Sequence, residues 1–161
     1  MDFLDLVKKR HSVRVYEDKK ISERDLKYIL EAAQFAPSAF NAQSFKFIVV
    51  QNKEKITQIA TAAEAPFAAK APAIVVAIGL DTTNKYNQTD VSIALDHLQL
   101  AAAEKKIGSC WVGTLGHENV DKLFDLPGKS KIYAVMSLGY DAGKQMPKKR
   151  KFFGDLFEIE D

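Results

Sequence analysis

The sequence predicts a fold that mixes helices and strands, and both an α/β and an α+β arrangement are open. Segments with apolar residues at a helical spacing alternate irregularly with short apolar runs of strand length. Residues 73–80 (AIVVAIGL) are apolar throughout, which is typical of a strand buried at the centre of a sheet. Residues 90–106 form the longest segment with helical spacing, and its apolar side predicts a helix that packs on the core.

The other elements follow from the same two periodicities. Helices are predicted over residues 2–10, 23–35, 53–63, 90–106 and 119–126, and strands over residues 45–50, 73–80, 109–113 and 132–140. Ser22 resembles an N-cap residue at the start of the second helix, and Pro37 limits where that helix can end. In residues 11–17 (HSVRVYE) the alternation predicts extended or strand-like chain, with Val13 and Val15 on one side.

The composition is that of an ordinary soluble globular protein, with 47% hydrophobic and 27% charged residues in a chain of 161. This length fits one domain that buries a core without disulfides or metals. No apolar stretch approaches the roughly 20 residues that span a bilayer, and the N-terminus lacks the apolar region of a secretory signal. The single cysteine, Cys110, cannot form an internal disulfide, so we expect a cytoplasmic protein.

The cationic residues are more informative than the net charge of +2, because they cluster at residues 8–10 and 148–151. Acidic residues near both clusters argue against the broad basic face of a nucleic-acid-binding protein. Two small cationic sites fit a phosphate group better than a duplex. A nucleic-acid-binding module is therefore the last of the hypotheses that the sequence supports.

Several chemistries lack the motifs that they need. The sequence contains no CxxC, no HExxH and no other clustered metal ligands, so no metal site is predicted. It also lacks the GxGxxG fingerprint of dinucleotide-binding folds and the GxSxG elbow of serine hydrolases. Cys110 lies in an apolar run and is predicted to be a buried structural thiol. His97 lies on the inner side of the long helix, which predicts a core or interface histidine rather than a catalytic base.

Residues 36–45 (APSAFNAQSF) connect a predicted helix to a predicted strand, and they hold many hydrogen-bonding side chains for so short a connection. These side chains belong to Ser38, Asn41, Gln43 and Ser44. Such residues are ordinary turn formers. They can also hold a ligand that is polar and flat.

Four segments together resemble the nitroreductase family, whose members are flavoproteins that bind FMN as homodimers. They are KRHSVRVYED (9–18), APSAFNAQSFKFIVV (36–50), DVSIALDHLQLAAAEKKIGSCWVG (90–113) and LPGKSKIYAVMSLGYDAGKQMPKKRK (126–151). They are similar to the family's Arg-Arg-Ser opening, its Ala-Pro-Ser-x-x-Asn segment, its long helix with the following Cys-Trp-x-Gly strand, and its Leu-Gly-Tyr close. The four segments occur in the family's order and spread over nearly the whole chain.

The resemblance implies an α+β fold with a central, mostly antiparallel β-sheet flanked by helices, in a single FMN-binding domain over residues 1–161. It also implies a homodimer with FMN at the interface, in which a C-terminal arm (residues 141–161) wraps the partner subunit. The partner would then cover the apolar end of this arm, which contains Phe152, Phe153, Leu156 and Phe157.

The resemblance further assigns a set of cofactor-binding residues and no catalytic side chain. The set is Arg10, His11, Ser12, Arg14, Pro37, Ser38, Ala39, Asn41, Gln43, Val112, Gly113, Thr114, Lys149 and Arg150. Arg10 and Arg150 match positions at the FMN phosphate, where guanidinium groups suit a dianion, and Ser12 with Lys148 or Lys149 would assist them.

The other matched positions lie around the flavin ring. Arg14 matches the position at the pyrimidine edge, where positive charge favours the anionic reduced flavin. Ser38 and Asn41 would reach the flavin from the other subunit, with Pro37 fixing the turn. The small Ala39 would let the backbone approach the ligand, and Gln43 would orient the loop rather than touch FMN. Gly113 and Thr114 match the place where backbone N–H groups lie near flavin N5 and O4.

Two departures from the family pattern lie within these segments. His11 stands where the family usually has a second arginine, which reduces the charge at the phosphate or makes it depend on pH. Ser44 and Phe45 stand where the family usually has Pro-Trp. No insertion is long enough to fold over the substrate, so we expect an open pocket.

The implied activity is that of an FMN-dependent NAD(P)H oxidoreductase. Hydride would pass from the nicotinamide to flavin N5 and then to a nitroaromatic, quinone or similar acceptor, in a ping-pong cycle. The alternative is a protein of the same fold that stores or senses flavin without turnover.

Overall fold

The computed structural model describes residues 2–113, 117–144 and 148–160. Within these ranges the helices are α1 (Phe3–Lys9), α2 (Glu23–Gln34), α3 (Lys53–Ala62), α4 (Asn87–Glu104) and α5 (His117–Asp121), and the strands are β1 (Phe45–Val50), β2 (Ala73–Gly79), β3 (Gly108–Val112) and β4 (Lys131–Gly139). Short 3₁₀ turns cover Ala39–Asn41, Pro66–Lys70 and Phe153–Asp155. Each helix and strand predicted from periodicity is present, with differences at some ends.

The four strands form one sheet in the order β1-β2-β4-β3, and all three neighbouring pairs are antiparallel. The fold is therefore α+β, as the family resemblance implied. β2 lies inside the sheet and is buried along its whole length, which confirms the prediction made from its continuous apolar run.

Helices pack on both faces of the sheet. Successive side chains of β2 point to opposite faces, so each face contributes apolar side chains to its own core cluster. On one face, Val75 packs in a core cluster with residues of α2 and α4, such as Ile29 and Leu95. On the other face, Val76 packs in a second cluster with residues of α3, such as Ile59. Ser22 caps α2 by accepting a hydrogen bond from the Asp25 N–H at 3.1 Å, as predicted.

Two predicted helix ends are wrong by three residues or more, and each has a local cause. α4 begins at Asn87 rather than at residue 90. The Asn84 carbonyl accepts the N–H of Asn87 at 3.0 Å, and the turn that this bond closes leads directly into the helix. α5 ends at Asp121 rather than at residue 126. The Asp121 side chain, at the end of the helix, accepts the N–H of Ile132 at 2.9 Å. Beyond it, the Lys55 ammonium donates to the Leu123 carbonyl at 2.6 Å.

The prediction for residues 11–17 is correct in part. The segment is extended, but it makes only isolated bridges, one to β3 and one to the start of the C-terminal arm. Val13 is buried, whereas Val15 is 56% exposed, so the predicted common side is wrong. Tyr16 takes the buried place instead, because its hydroxyl donates to the Val13 carbonyl at 2.6 Å and pairs with Ser137 of β4 at 2.6 Å.

The C-terminal arm is exposed throughout the part that the structure describes beyond residue 141. Its apolar side chains are at least half exposed, and the Phe153 and Phe157 rings lie 4.7 Å apart between centroids. Exposed apolar side chains in such number are typical of an interaction surface. The wrapping of a partner subunit by this arm stays a prediction.

Candidate functional site

The N-terminal segment that carries Arg10, Ser12 and Arg14 lies against β3 and the end of β4. The Val13 N–H donates to the Ser109 carbonyl at 2.9 Å. This close approach requires a glycine at residue 108, since a Cβ on Gly108 would lie 2.4 Å from a methyl group of Val13. Backbone contacts therefore place the predicted phosphate and flavin residues along one sheet edge.

A cavity of about 480 Å³ lies between the end of α1, the end of α4 and the start of β3. Its lining includes three cationic side chains, Lys9, Arg10 and Lys106, together with the carboxylates of Glu104 and Asp141. Arg10 follows α1 directly, and its N–H donates to the Leu6 carbonyl at 3.0 Å. Cations in a partly enclosed space are the donors that a phosphate needs, so this donor set fits the phosphate of a nucleotide-like cofactor.

His11 is held by two acceptors of its own chain. Its Nδ1 lies 3.1 Å from the Lys9 carbonyl oxygen, and its Nε2 lies 2.9 Å from Oδ2 of Asp141. These two contacts join the ring to the end of α1 and to the first residue of the C-terminal arm. The histidine that replaces the family's second arginine therefore ties the N-terminal segment to the base of the C-terminal arm.

Ser12, Arg14 and Lys148 influence the Cys110 thiol on β3. Burial raises the pKa of the Cys110 thiol, while the charges of Arg14 and Lys148 and a hydrogen bond with Ser12 act in the opposite direction. The thiol is almost fully buried, as predicted. The Arg14 guanidinium is exposed to solvent and lies 5.7 Å from the centre of the Phe67 ring, so it is available to a ligand.

The connection between α2 and β1, here called the polar loop (residues 37–44), has an unusual backbone. Phe40, Asn41 and Gln43 have φ angles of 57°, 54° and 48°, in the left-handed region. This conformation costs a non-glycine residue roughly 1–2 kcal/mol. The loop is tightened internally, since Oγ of Ser38 accepts the Gln43 N–H at 3.0 Å and the Ser38 carbonyl accepts the Asn41 N–H at 2.9 Å.

Two residues beneath the polar loop were not predicted as site residues. Oδ1 of Asp90 accepts the N–H of Ala39 at 3.0 Å, and Nδ2 of Asn87 donates to the Ser44 carbonyl at 2.6 Å. Both side chains are buried, with exposed fractions of 0% for Asn87 and 3% for Asp90. The sequence does contain one signal for Asp90: its carboxylate lies at the start of the inward-facing stripe of α4, one residue before the buried Val91.

One chain does not bring the predicted residues into a single pocket. The polar loop contacts Asp90 near the start of α4, whereas the cavity with Arg10 includes Glu104 at the other end. Fourteen residues of helix separate these two positions by about 21 Å. The loop also precedes β1 and the N-terminal segment contacts β3, so they lie at opposite edges of the sheet, about 14 Å apart.

The other predicted residues lie as follows. Val112 is buried at the end of β3, and Gly113 is exposed directly after it. Thr114 lies outside the described residues. Lys149 and Arg150 are exposed on the C-terminal arm. His97, predicted to be a satisfied histidine, is half-buried and bonds the Ile93 carbonyl of its own helix at 3.0 Å through Nδ1.

Residues 2–113, 117–144 and 148–160 contain no group of three or more His, Cys, Asp or Glu side chains that could hold a metal ion. None of the helices in these ranges has the length and apolar character to cross a membrane.

Comparison with known proteins shows similarity along nearly the whole chain. The sequence profile of the nitroreductase family matches residues 7–71 and 60–140. A protein of Archaeoglobus fulgidus with the inferred name NADH dehydrogenase/NAD(P)H nitroreductase is 34% identical, over 98% of this chain and 91% of its own. The iodotyrosine deiodinase of Thermotoga neapolitana is 27% identical over 84% and 87%.

The fold is also similar to solved structures. The FMN-dependent nitroreductase from Clostridium difficile R20291 superposes with a TM-score of 0.91 at 26% identity, covering 99% of each chain.

Proposed function

This chain belongs to the nitroreductase family, and we propose that it binds FMN and acts as an FMN-dependent NAD(P)H oxidoreductase. The proposal is supported by the match to an FMN-dependent nitroreductase structure over nearly the full length of both chains. It is also supported by the inferred NAD(P)H nitroreductase name of the Archaeoglobus relative.

The observation that carries the site assignment is the separation of the two groups of predicted residues. Arg10 lies at the end of α4 and the polar loop lies at its start, about 21 Å away along the helix axis. A site that uses both groups needs two chains. We therefore propose a homodimer in which the N-terminal segment of one subunit and the polar loop of the other hold the same FMN.

The phosphate end of this site would be held by the cations at the end of α4. Arg10 lines the cavity there with Lys9 and Lys106. Ser12 adds a hydroxyl on the same segment, and Arg150 with Lys148 or Lys149 would come from the C-terminal arm. Guanidinium groups form paired hydrogen bonds with a phosphate, which makes the arginines the stronger members of this set.

The ring end would be held by residues near the end of β3 and by the partner's polar loop. Arg14 is exposed beside β3, and its positive charge would favour the anionic reduced ring. Gly113 is exposed directly after β3, where the lack of a side chain permits a ligand to approach the backbone. Thr114 is proposed beside it, with Ser38 and Asn41 supplied by the partner subunit.

The protein's contribution is binding, orientation and electrostatics. The chemistry that FMN supplies when bound is hydride exchange at N5, first with NAD(P)H and then with an acceptor such as a nitroaromatic or a quinone, in a ping-pong cycle. None of the proposed side chains has to transfer a proton. The residues hold the ring so that donor and acceptor can occupy the same place in turn.

Oxidation of NADH and NADPH by the FMN-loaded protein tests this function. The acceptors would be a nitroaromatic, a quinone and iodotyrosine, the last because of the deiodinase relative. We expect turnover with at least one acceptor, and parallel double-reciprocal lines when both substrates are varied. Bound FMN without turnover of any acceptor would contradict the enzymatic function and favour a flavin store or sensor.

A further inference from the structure

The polar loop is attached to the first turn of α4 at both of its ends. At one end the N–H of Ala39 donates to Oδ1 of Asp90 at 3.0 Å. At the other end the Ser44 carbonyl accepts from Nδ2 of Asn87 at 2.6 Å. The Leu80 N–H donates to the same carbonyl at 3.0 Å, so the second attachment also joins the loop to the end of β2.

These attachments use side chains that are fully withdrawn from water. Asn87 and Asp90 are among the few buried polar residues of the described chain, and each keeps one oxygen without a hydrogen-bond partner there: Oδ1 of Asn87 and Oδ2 of Asp90. Buried polar atoms are nearly always paired in folded proteins. The two buried oxygens without a partner, on side chains three residues apart in α4, therefore call for an explanation beyond the packing of the helix.

The fold also makes room for one of them. β2 ends at Gly79, and a Cβ there would lie 2.0 Å from Oδ1 of Asn87 and 2.3 Å from the Tyr133 ring. Any larger residue at this strand end would displace the Asn87 side chain. The glycine and the asparagine therefore form one unit beneath the polar loop.

The loop above them needs such support. Phe40, Asn41 and Gln43 all have left-handed backbone conformations, which persist in non-glycine residues only where the surroundings enforce them. The same backbone holds the Phe40 ring 91% exposed, with only an edge contact to Tyr86 at 6.2 Å between centroids. Without attachment at both ends, this loop would relax to a less strained shape.

We propose that Asn87 and Asp90 are positioning residues of the FMN site. They hold the polar loop in its strained shape, so that Ser38, Asn41 and the Phe40 ring are presented to a ligand bound between two subunits. This inference rests on the proposed FMN-binding function. It adds two residues that lie beneath the loop and touch no ligand.

Two isosteric exchanges give opposite expectations at these neighbouring positions. Asp90→Asn keeps an oxygen that can accept the Ala39 N–H, so FMN affinity should stay within about threefold of the wild type. Asn87→Asp loses the side-chain donor that ties the Ser44 carbonyl to α4 and leaves that carbonyl only its bond from the Leu80 N–H, so FMN affinity should fall about tenfold. Asp90→Ala removes the acceptor and should also weaken FMN about tenfold. Asp96→Ala, an exposed carboxylate on the same helix, is the matched control and should change nothing.

Two readouts would be measured on the full-length protein: FMN affinity by fluorescence titration, and exchange of the Ala39 backbone amide with solvent by NMR in the absence of FMN. Exchange at Ala39 should accelerate at least tenfold in Asp90→Ala and recover in Asp90→Asn, whereas amides of the β2 core should not change. A merely structural role would accelerate loop and core together. If Asn87→Asp fails to fold, the Asp90 pair still decides the matter.

The outcomes separate the two proposals. Wild-type protein that binds FMN, with Asp90→Ala binding it equally well, would overturn the positioning role and leave the function standing. Wild-type protein that takes up no FMN would overturn the proposed function, and the positioning role with it.

Discussion

Arg10 is the residue on which the phosphate assignment depends most. It lies in the cavity at the end of α4 with two lysines, and Arg150 on the C-terminal arm is its predicted partner. A hydrogen bond to a charged group contributes about 1.5–3 kcal/mol. We therefore expect each of Arg10→Ala and Arg150→Ala to raise the FMN dissociation constant tenfold or more, and the double variant to be isolated without flavin.

Arg24→Ala is the control for this measurement. Arg24 is exposed on α2 and does not line the cavity that contains Arg10. Arg24→Ala removes one positive charge, as each of the two single variants does, and should leave FMN binding unaltered. An Arg10→Ala, Arg150→Ala protein that retains its flavin would refute the phosphate assignment.

Tyr16 predicts how stability depends on alkaline pH. Burial raises the pKa of its hydroxyl well above the ordinary value, because the anion would be withdrawn from water. Up to about pH 10 the hydroxyl is protonated in both states, and its hydrogen bonds to Val13 and Ser137 are intact. Above about pH 10 only the unfolded state releases this proton, so stability falls by up to about 1.4 kcal/mol per pH unit.

Comparison of the wild type with Tyr16→Phe isolates this effect. The variant should be about 1–3 kcal/mol less stable at neutral pH, because the Val13 carbonyl and Ser137 lose their partner. Its stability should then fall less steeply than that of the wild type between pH 10 and pH 12, as measured by urea unfolding. Parallel curves for the two proteins would contradict the account.

Single residues could be predicted from the sequence where the neighbouring residues determine their environment. Cys110 was predicted to be buried because the residues beside it are apolar. Asn87 and Asp90 were missed because their partners, Ser44 and Ala39, lie 43 and 51 residues away along the chain. The position of Asp90 at the start of the inward stripe of α4 indicates burial, but nothing local to either residue identifies its partner.

At the scale of elements, the packing of the N-terminal segment on β3 holds Arg10, Ser12 and Arg14 in place. A Cβ on Gly108 would lie 2.4 Å from a methyl group of Val13. Gly108→Ala should therefore destabilise the fold by about 1–3 kcal/mol through overpacking. FMN affinity should fall with it, because the clash displaces the segment.

A double-mutant cycle identifies the cause. Val13→Ala removes the two methyl groups that the new Cβ would meet at 2.4 and 3.0 Å and leaves the Cβ of residue 13 at 2.8 Å. The clash is relieved in part, so the double variant should be more stable than the sum of the two single changes by about 1 kcal/mol. Thermal or urea unfolding of the four proteins gives this coupling. Additive losses would show that the cost of Gly108→Ala arises elsewhere.

The elements themselves were largely predictable, since their signals are local. The apolar run of β2 and the Ser22 cap of α2 were sufficient to place both. Residues 11–17 were harder, because Tyr16 is turned inward by a hydrogen bond to Ser137, 121 residues away. The alternation of apolar residues in this segment does not predict that contact.

At the scale of the whole molecule, the exposed C-terminal arm is the feature on which the proposed dimer most depends. Phe153 and Phe157 are each more than half exposed and stack on one another. Burying a phenylalanine contributes about 1.5–3 kcal/mol. Phe153→Ser with Phe157→Ser affects four side chains in a homodimer, so its dissociation constant should rise at least a thousandfold.

Light scattering after size exclusion measures this change. We expect the wild type to be a dimer and the double variant to be a monomer at micromolar concentration, with loss of FMN in parallel. Lys151→Ser, an equally exposed change on the same arm, should remain dimeric. A double variant that stays dimeric would show that the arm does not wrap the partner.

The order and direction of the strands in the sheet could not be predicted from the residues alone. Periodicity located the strands but left α/β and α+β open, because strand order depends on contacts between distant segments. The resemblance to a family resolved this, and the antiparallel order β1-β2-β4-β3 confirms the α+β class. The proposed division of the site between two chains likewise has no local signal.

The visible absorption spectrum of the purified protein, with the released chromophore identified and counted, tests the central claim most directly. We predict the absorption bands of a flavin, and release of about one FMN per chain, because each chain of a dimer would complete one site. A colourless protein that also fails to take up added FMN would contradict the account. The cationic cavity and the polar loop would then have to serve another ligand.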